Sequence, residues 1–209
     1  MEPAVPVRPA EQRDRFVDAV LANPVNAAIL ERGDELGAGD WWLTGGAVFQ
    51  TVWNVLTGRD PAAGIADYDF FYFDDADLSW SAEDRVIRRA AELFADLDGV
   101  VEVRNEARVH LWYEAHFGRP APRFTSATDA IDHFVAVVCC YGVRRTPAGD
   151  VAVHAPHGFD DLFGMRVRPN PVLAPRSVYE AKARRWASVW PELDVQPWPA
   201  GDACADAAR

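Results

Sequence analysis

Two aspartates stand two residues apart, Asp67 and Asp69, at the head of the most aromatic run of the chain, DYDFFYF. On a strand, side chains two apart project to the same side. Carboxylates held that close disfavour each other's ionisation unless a cation compensates. Hard divalent cations such as Mg²⁺ take oxygen ligands and are held by one or two carboxylates together with substrate phosphates. An isolated pair of this kind also has a plainer reading, in which Asp67 lies in the preceding loop and Asp69 alone begins the strand.

A second pattern lies upstream, in WWLTGG at 41–46. Gly45 and Gly46 end an apolar strand and open a helix. Glycine lets a backbone come close to a ligand, and a helix N-terminus offers free N–H groups and a positive dipole end to a phosphate. Alone, the glycine pair reads equally well as tight helix–strand packing. Together the two patterns form a joint signal, one half suited to cradle a triphosphate and the other to hold the metal that neutralises it.

The elements that must position these residues follow from hydrophobic spacing. Helical periodicity covers 10–22 and 25–36, broken at Asn23-Pro24 and ended near Gly37. A buried strand is predicted at 41–44, a helix from Ala47 to Leu56, and an aromatic strand from Tyr68 to Phe73. Ser81, with Asp84 three later, reads as a cap opening a helix to about Leu97. Residues 100–113 read as a hairpin turning near Asn105. A helix or strand pair follows at 129–143, then a strand at 151–154, a single helical turn in the loop from 154, and a last helix at 176–190. The order predicts an α+β fold, a mixed sheet with helices packed on it. The expected division is a lead-in and helix at 1–24, a domain at 25–190 with its core at 40–115 and a small C-terminal extension at 116–190, and a polar tail at 191–209.

LTGG, the following helix, DYDFF and the later strand Val101-Glu102-Val103 resemble the DNA polymerase β-like nucleotidyltransferase superfamily. GIADYDFFYFDDADLS, RNEARVHLWYEAHFG and APHGFDDLFGMRVRPNP, with WNVLTG before them, resemble more narrowly a bacterial nucleotidyltransferase-like family within it, over roughly residues 25 to 190. The resemblance implies a polymerase β-like core and a metal-dependent nucleotidyltransferase using Mg²⁺ or Mn²⁺. It implies that Thr44, Gly45 and Gly46 meet the triphosphate, that Asp67 and Asp69 bridge the metal ions, and that Glu102 completes the site in place of the more usual aspartate.

For that third carboxylate, Glu106 and Glu114 compete. Glu106 is expected at or beside the hairpin turn, pointing to water, and Glu114 at the far strand end. Glu102, mid-strand between two valines, is the rigidly mounted choice. Arg108 and His110 are expected to share a face of the same hairpin, reaching phosphate or base, or else pairing with Glu102 or Glu106. Asp160-Asp161 reads as a cap for Leu162 and Phe163. His154 and His157 are too few for a Zn²⁺ site and read as loop histidines. Cys139-Cys140 read as small core residues, and Trp41, Trp42, Trp53, Trp112, Trp186 and Trp190 as core. Arg144-Arg145 and Arg166 to Arg168 are the dense basic spots.

Composition bounds the partners. The chain has 209 residues, a formal net charge of −11 and 49% apolar content. That permits one sizeable core. Clustered Lys and Arg are what polyanion binding needs, so a nucleic-acid acceptor is not the expectation. Three cysteines offer no disulfide framework, no apolar run approaches the roughly 18 residues of a membrane span, and no signal peptide is read at the start, so the expected location is cytoplasmic. The leading expectation is transfer of a nucleotide from a nucleoside triphosphate to a small-molecule or protein hydroxyl. A catalytically weak nucleotide-binding domain and a nucleic-acid end-modifying enzyme are the rivals.

Overall fold

The computed structural model describes residues 9–200. The proline lead-in at 1–8 and the end of the tail at 201–209 lie outside the described residues. Helix α1 (Pro9–Leu21) meets α2 (Pro24–Arg32) at Asn23, whose side chain accepts hydrogen bonds from the N–H groups of Val25 and Asn26. Pro24 suits the first helical position because its missing N–H would be unpaired there anyway. A 3₁₀ turn at Gly33–Leu36 leads into β1 (Asp40–Thr44), α3 (Gly46–Leu56) and β2 (Tyr68–Phe73). Then come α4 (Trp80–Leu93) and β3 (Val101–Asn105). Beyond β3 lie a 3₁₀ stretch at Glu106–Leu111 and the short helices α5 (Tyr113–Phe117) and α6 (Ala127–Ile131). The chain closes with β4 (Gly142–Arg145), β5 (Val151–His154), α7 (Asp160–Phe163), β6 (Arg166–Val167), α8 (Arg176–Val189) and β7 (Asp194–Val195).

The main sheet runs β3-β2-β1-β4-β5. Within this sheet only β2 and β3 pair in parallel, and α4 makes the crossover that a parallel connection requires. Alternation splits each central strand between two faces. Trp41, Leu43, Tyr68, Phe70 and Tyr72 enter the main core, where Trp41 stacks on Phe70 at 4.8 Å. On that side α3 packs through Phe49 and Trp53 against Trp186 of α8 and Trp190 just past its end. The opposite face carries Thr44, Asp69 and Phe71 with Trp42, and part of it is covered by Ala127 and Ile131 of α6. The α+β fold, mixed sheet and packed helices are those expected from the sequence.

Several local expectations are corrected. Residues 100–113 form no hairpin. Asn105 accepts from the N–H groups of Ala107 and Asp74 and donates to Asp74 O, which turns the chain into a 3₁₀ stretch rather than a return strand. Ser79, not Ser81, caps α4 by accepting from Ala82 N–H. Phe159 holds the cap position of α7, and Asp161 instead takes Arg168 at 2.5 Å and Arg166 at 3.6 Å. Residues 142–154, assigned by the sequence to an extension, supply two strands of the main sheet. Past the expected boundary at 190, β7 pairs with β6, and Trp198 is buried beside Tyr179. Cys139, Cys140 and most of the tryptophans are core as expected, but Trp112 is 46% exposed.

Candidate active site

Strand register sets the centre of the site. Thr44 of β1 lies opposite Asp69 of β2, and Asp69 lies opposite Glu102 of β3. The row therefore runs across three strands on the face not occupied by the main core. Gly45 follows Thr44 with φ 64° and ψ −145°, a conformation essentially reserved for glycine. The Asp69 carboxylate lies directly against it: a Cβ at Gly45 would stand 2.0 Å from Asp69 Oδ2. Among the described residues no side chain caps α3, so its first turn keeps unpaired N–H groups that an anion would meet.

A cavity of about 610 Å³ opens over this row. Gly45, Gly46, Asp67, Asp69, Glu102 and Glu106 all line it. Asp67 stands one residue ahead of β2, yet it still raises the pKa of Asp69. Burial, with Asp67 and Glu102 nearby, pushes the Asp69 carboxyl up to about 7, although Lys182 and Arg104 pull it back. Glu102 sits on the strand as expected, and its carboxylate pairs with Arg104 at 2.5 Å. The expectation that Glu106 points to water is corrected. It is 6% exposed, and burial together with Asp69 pushes its carboxyl up to about 8. Glu114 lies on the exposed side of α5, outside the cavity.

Other predicted residues are placed elsewhere. The Thr44 hydroxyl donates to Tyr141 O at 2.6 Å and is wholly buried. Arg108 forms an ion pair with Glu83 of α4, donates to Leu78 O, and lies 5.5 Å from the Trp80 ring. Neither Arg108 nor His110 lines the cavity. They were expected on a strand face, and the 3₁₀ path turns them off it. Two cations absent from the sequence reading do line it, Lys182 and Arg185 of α8. Neither side chain has a hydrogen-bond or ion-pair partner among the described residues. Their spacing of three on an amphipathic helix was the available signal, since it puts both on one flank beside Trp186.

A strand, a Gly-Gly helix start and a second strand headed by carboxylates are the arrangement that the resemblance to nucleotidyltransferases leads one to expect. The chain belongs to a nucleotidyltransferase family: the family model, described as Nucleotidyltransferase, matches residues 31–195. No curated protein matches the sequence. An NMR structure described as revealing a CCA-adding enzyme head domain has the same fold, with a TM-score of 0.73 at 23% identity over 93% of this chain and 98% of that one. The polymerase β-like fold is thereby established for this enzyme.

Nucleotidyltransferases of this kind generally use divalent metals. Among the described residues no group of three or more His, Cys, Asp or Glu side chains is gathered to hold an ion by protein ligands alone. The donor chemistry nevertheless fits, because the cavity carboxylates supply only oxygen and repel one another, and two carboxylates plus phosphate oxygens satisfy Mg²⁺.

The raised carboxyls make the metal-free protein sensitive to pH. Asp69 and Glu106 retain protons when folded that they release when unfolded, so stability falls as pH rises from about 4 towards 8. In chelator, urea unfolding is expected to show the protein more stable at acid than at alkaline pH by several kcal/mol. Glu106→Gln should flatten the profile, whereas an unchanged slope in that variant would remove Glu106 as a source. No described helix is long and apolar enough to cross a membrane.

Proposed function

We propose that the enzyme transfers a nucleotide from a nucleoside triphosphate to a hydroxyl of a small molecule or protein side chain, with Mg²⁺ or Mn²⁺ as cofactor. The observation that supports this reading is the contact of the Asp69 carboxylate with the Gly45 backbone, with both lining one cavity, since a metal held by the first would then lie beside a phosphate met by the second. In this reading the Gly45-Gly46 backbone and the start of α3 receive the outer phosphates, and Lys182 and Arg185 face them from α8. Asp67 and Asp69 hold the metal, with Glu102 or Glu106 as third carboxylate. The metal, when bound, offsets the charge that builds up on the phosphate oxygens. The acceptor oxygen forms a bond to the α-phosphorus, the bond to the bridging oxygen of the β-phosphate breaks, and pyrophosphate leaves. The hydroxyl proton passes to the third carboxylate.

The test is a titration of the purified protein with each of the four ribonucleoside triphosphates, with and without Mg²⁺, followed by mass spectrometry with candidate acceptors. At least one triphosphate should bind more tightly with the metal than without it. Metal-independent binding of all four, or of none, would remove the reading.

A second reading, modification of a nucleic-acid end, is favoured by the description of the structural relative as a CCA-adding enzyme head domain. The net charge of −11 opposes it. Binding of tRNA at physiological salt is expected to be no tighter than the non-specific range of about 10⁻⁴ to 10⁻⁶ M. A nanomolar complex with a steep salt dependence would reverse the preference.

A further inference from the structure

The cavity continues past the carboxylates into an aromatic lobe. β1 and β2 run antiparallel with Thr44 opposite Asp69, so Gly45 continues towards the Asp67 end of β2. Phe71 and Phe73 continue the other way on the face of Asp69, about 7 and 13 Å along the strand. Phe71 lines the cavity, and Phe73 packs against an apolar cluster of Val109, Tyr113, Phe124, Ala130 and Leu173. All five of those line the cavity as well. Trp112 and Phe117 line it beside Tyr113, at ring distances of 5.8 and 4.5 Å. The glycine cradle, the carboxylates and this lobe therefore follow one another along β2.

Two polar groups of the lobe lack partners. Tyr113 is 6% exposed, and its buried hydroxyl makes no hydrogen bond among the described residues. A hydroxyl buried in that way is costly until something pairs with it. His133, whose ring lies 5.0 Å from that of Phe124, also lines the cavity. Its Nδ1 stands 2.7 Å from Asp129 O, a carbonyl oxygen that can only accept, so Nδ1 carries the proton. The neutral ring then leaves Nε2 as an acceptor, and no described residue donates to it. The lobe thus offers flat apolar walls, one acceptor, and one hydroxyl that can donate or accept.

We propose that this lobe is the nucleobase pocket for the donor triphosphate, and that it takes an amino-bearing purine, with Tyr113 and His133 as the residues that select it. A nucleoside triphosphate carries its phosphate tail at one end and a flat ring at the other, with the α-phosphate between them. Laid with its tail on Gly45-Gly46 and its α-phosphate over Asp69, it extends its base along β2 past Phe71. Base rings stack on aromatic side chains, and a purine covers more of such a wall than a pyrimidine. The exocyclic amino group donates to His133 Nε2, and a ring nitrogen accepts from the Tyr113 hydroxyl. The assignment rests on the nucleotidyl-transfer reading above, which supplies the phosphate end.

Four probes separate the base from the tail: ATP, UTP, purine riboside triphosphate, which lacks the 6-amino group, and inorganic tripolyphosphate. Each is titrated into the full chain with Mg²⁺ at about pH 8. ATP is expected to bind about fivefold more tightly than the riboside analogue, the scale of one hydrogen bond, and more tightly than UTP. His133→Leu should bring ATP and the analogue level. Tyr113→Phe should weaken ATP severalfold while leaving Tm unchanged or higher, because an unpaired buried hydroxyl is gone. A tyrosine with a purely structural role would not show that split. Trp112→Ala, at an exposed position where folding is safe, should weaken all three nucleotides and leave tripolyphosphate unchanged. The order in the unaltered protein decides the matter even if a variant fails to fold. ATP no tighter than UTP or than the analogue, nucleotide binding untouched by Trp112→Ala and Tyr113→Phe, or an equal loss of tripolyphosphate overturns the assignment. Each of those results is read on triphosphate that does bind, so it removes the pocket alone. If no triphosphate gains from Mg²⁺, the nucleotidyl-transfer reading falls and the pocket falls with it.

Discussion

Asp69→Asn is expected to lower nucleotidyl transfer by about 10³-fold, equivalent to about 4 kcal/mol of transition-state stabilisation. Asp69 is the residue that touches every part of the arrangement. It is in register with Glu102, it feels Asp67, and its carboxylate lies on Gly45. The neutral amide keeps the shape but cannot offset a cation. Folding should survive, and the metal-free variant should be more stable than the parent near neutral pH, because a buried, mutually repelling carboxylate is gone. Activity and a urea melt are therefore expected to move in opposite directions. An active Asp69→Asn enzyme, with metal-dependent triphosphate binding intact, would remove the site assignment. Lost activity together with lost stability would make Asp69 a folding residue instead.

Gly45→Ala should be the most damaging small substitution in the molecule. The new methyl group would stand 2.0 Å from Asp69 Oδ2, and the backbone conformation at φ 64° and ψ −145° is one that L side chains rarely adopt. The strain costs about 1–3 kcal/mol before the clash is counted. A fall in Tm of roughly 5–10 °C is expected for a chain of this size, along with weakened triphosphate binding as Asp69 is pushed aside. Gly46→Ala is the control. A Cβ there meets only the end of the flexible Gln50 side chain, Nε2 at 2.5 Å and Cδ at 3.4 Å, and the backbone is helical. It should cost under about 1 kcal/mol and leave the fold intact. Equal effects at the two positions would mean that Asp69 is not held against Gly45.

The sequence by itself determined the central strands and helices and the nucleotidyltransferase class. Tyr68 to Phe73 alternates buried and half-buried side chains, and Val48 and Val52 of α3 are buried at helical spacing, so short-range periodicity was enough there, although Val55, expected inward with them, is exposed. The pairing of Gly45-Gly46 with Asp67 and Asp69 was legible because glycine and carboxylate chemistry is written in residue types. What lies beyond Asn105 was not. The segment 106–111 looked like a return strand because its residue types suit one. Its path was decided by Asn105 bonding to Asp74 and by Arg108 pairing with Glu83, partners about thirty and twenty-five residues back along the chain. That same turn carried Arg108 and His110 off the cavity and buried Glu106 in it. The tertiary structure likewise decided that β4 and β5 complete the sheet and that α8 sets Lys182 and Arg185 against the cradle. Periodicity reports which side of an element is apolar. It carries no information about which distant element that side will meet, and the setting of Lys182 and Arg185 over the cavity is the product of such a meeting.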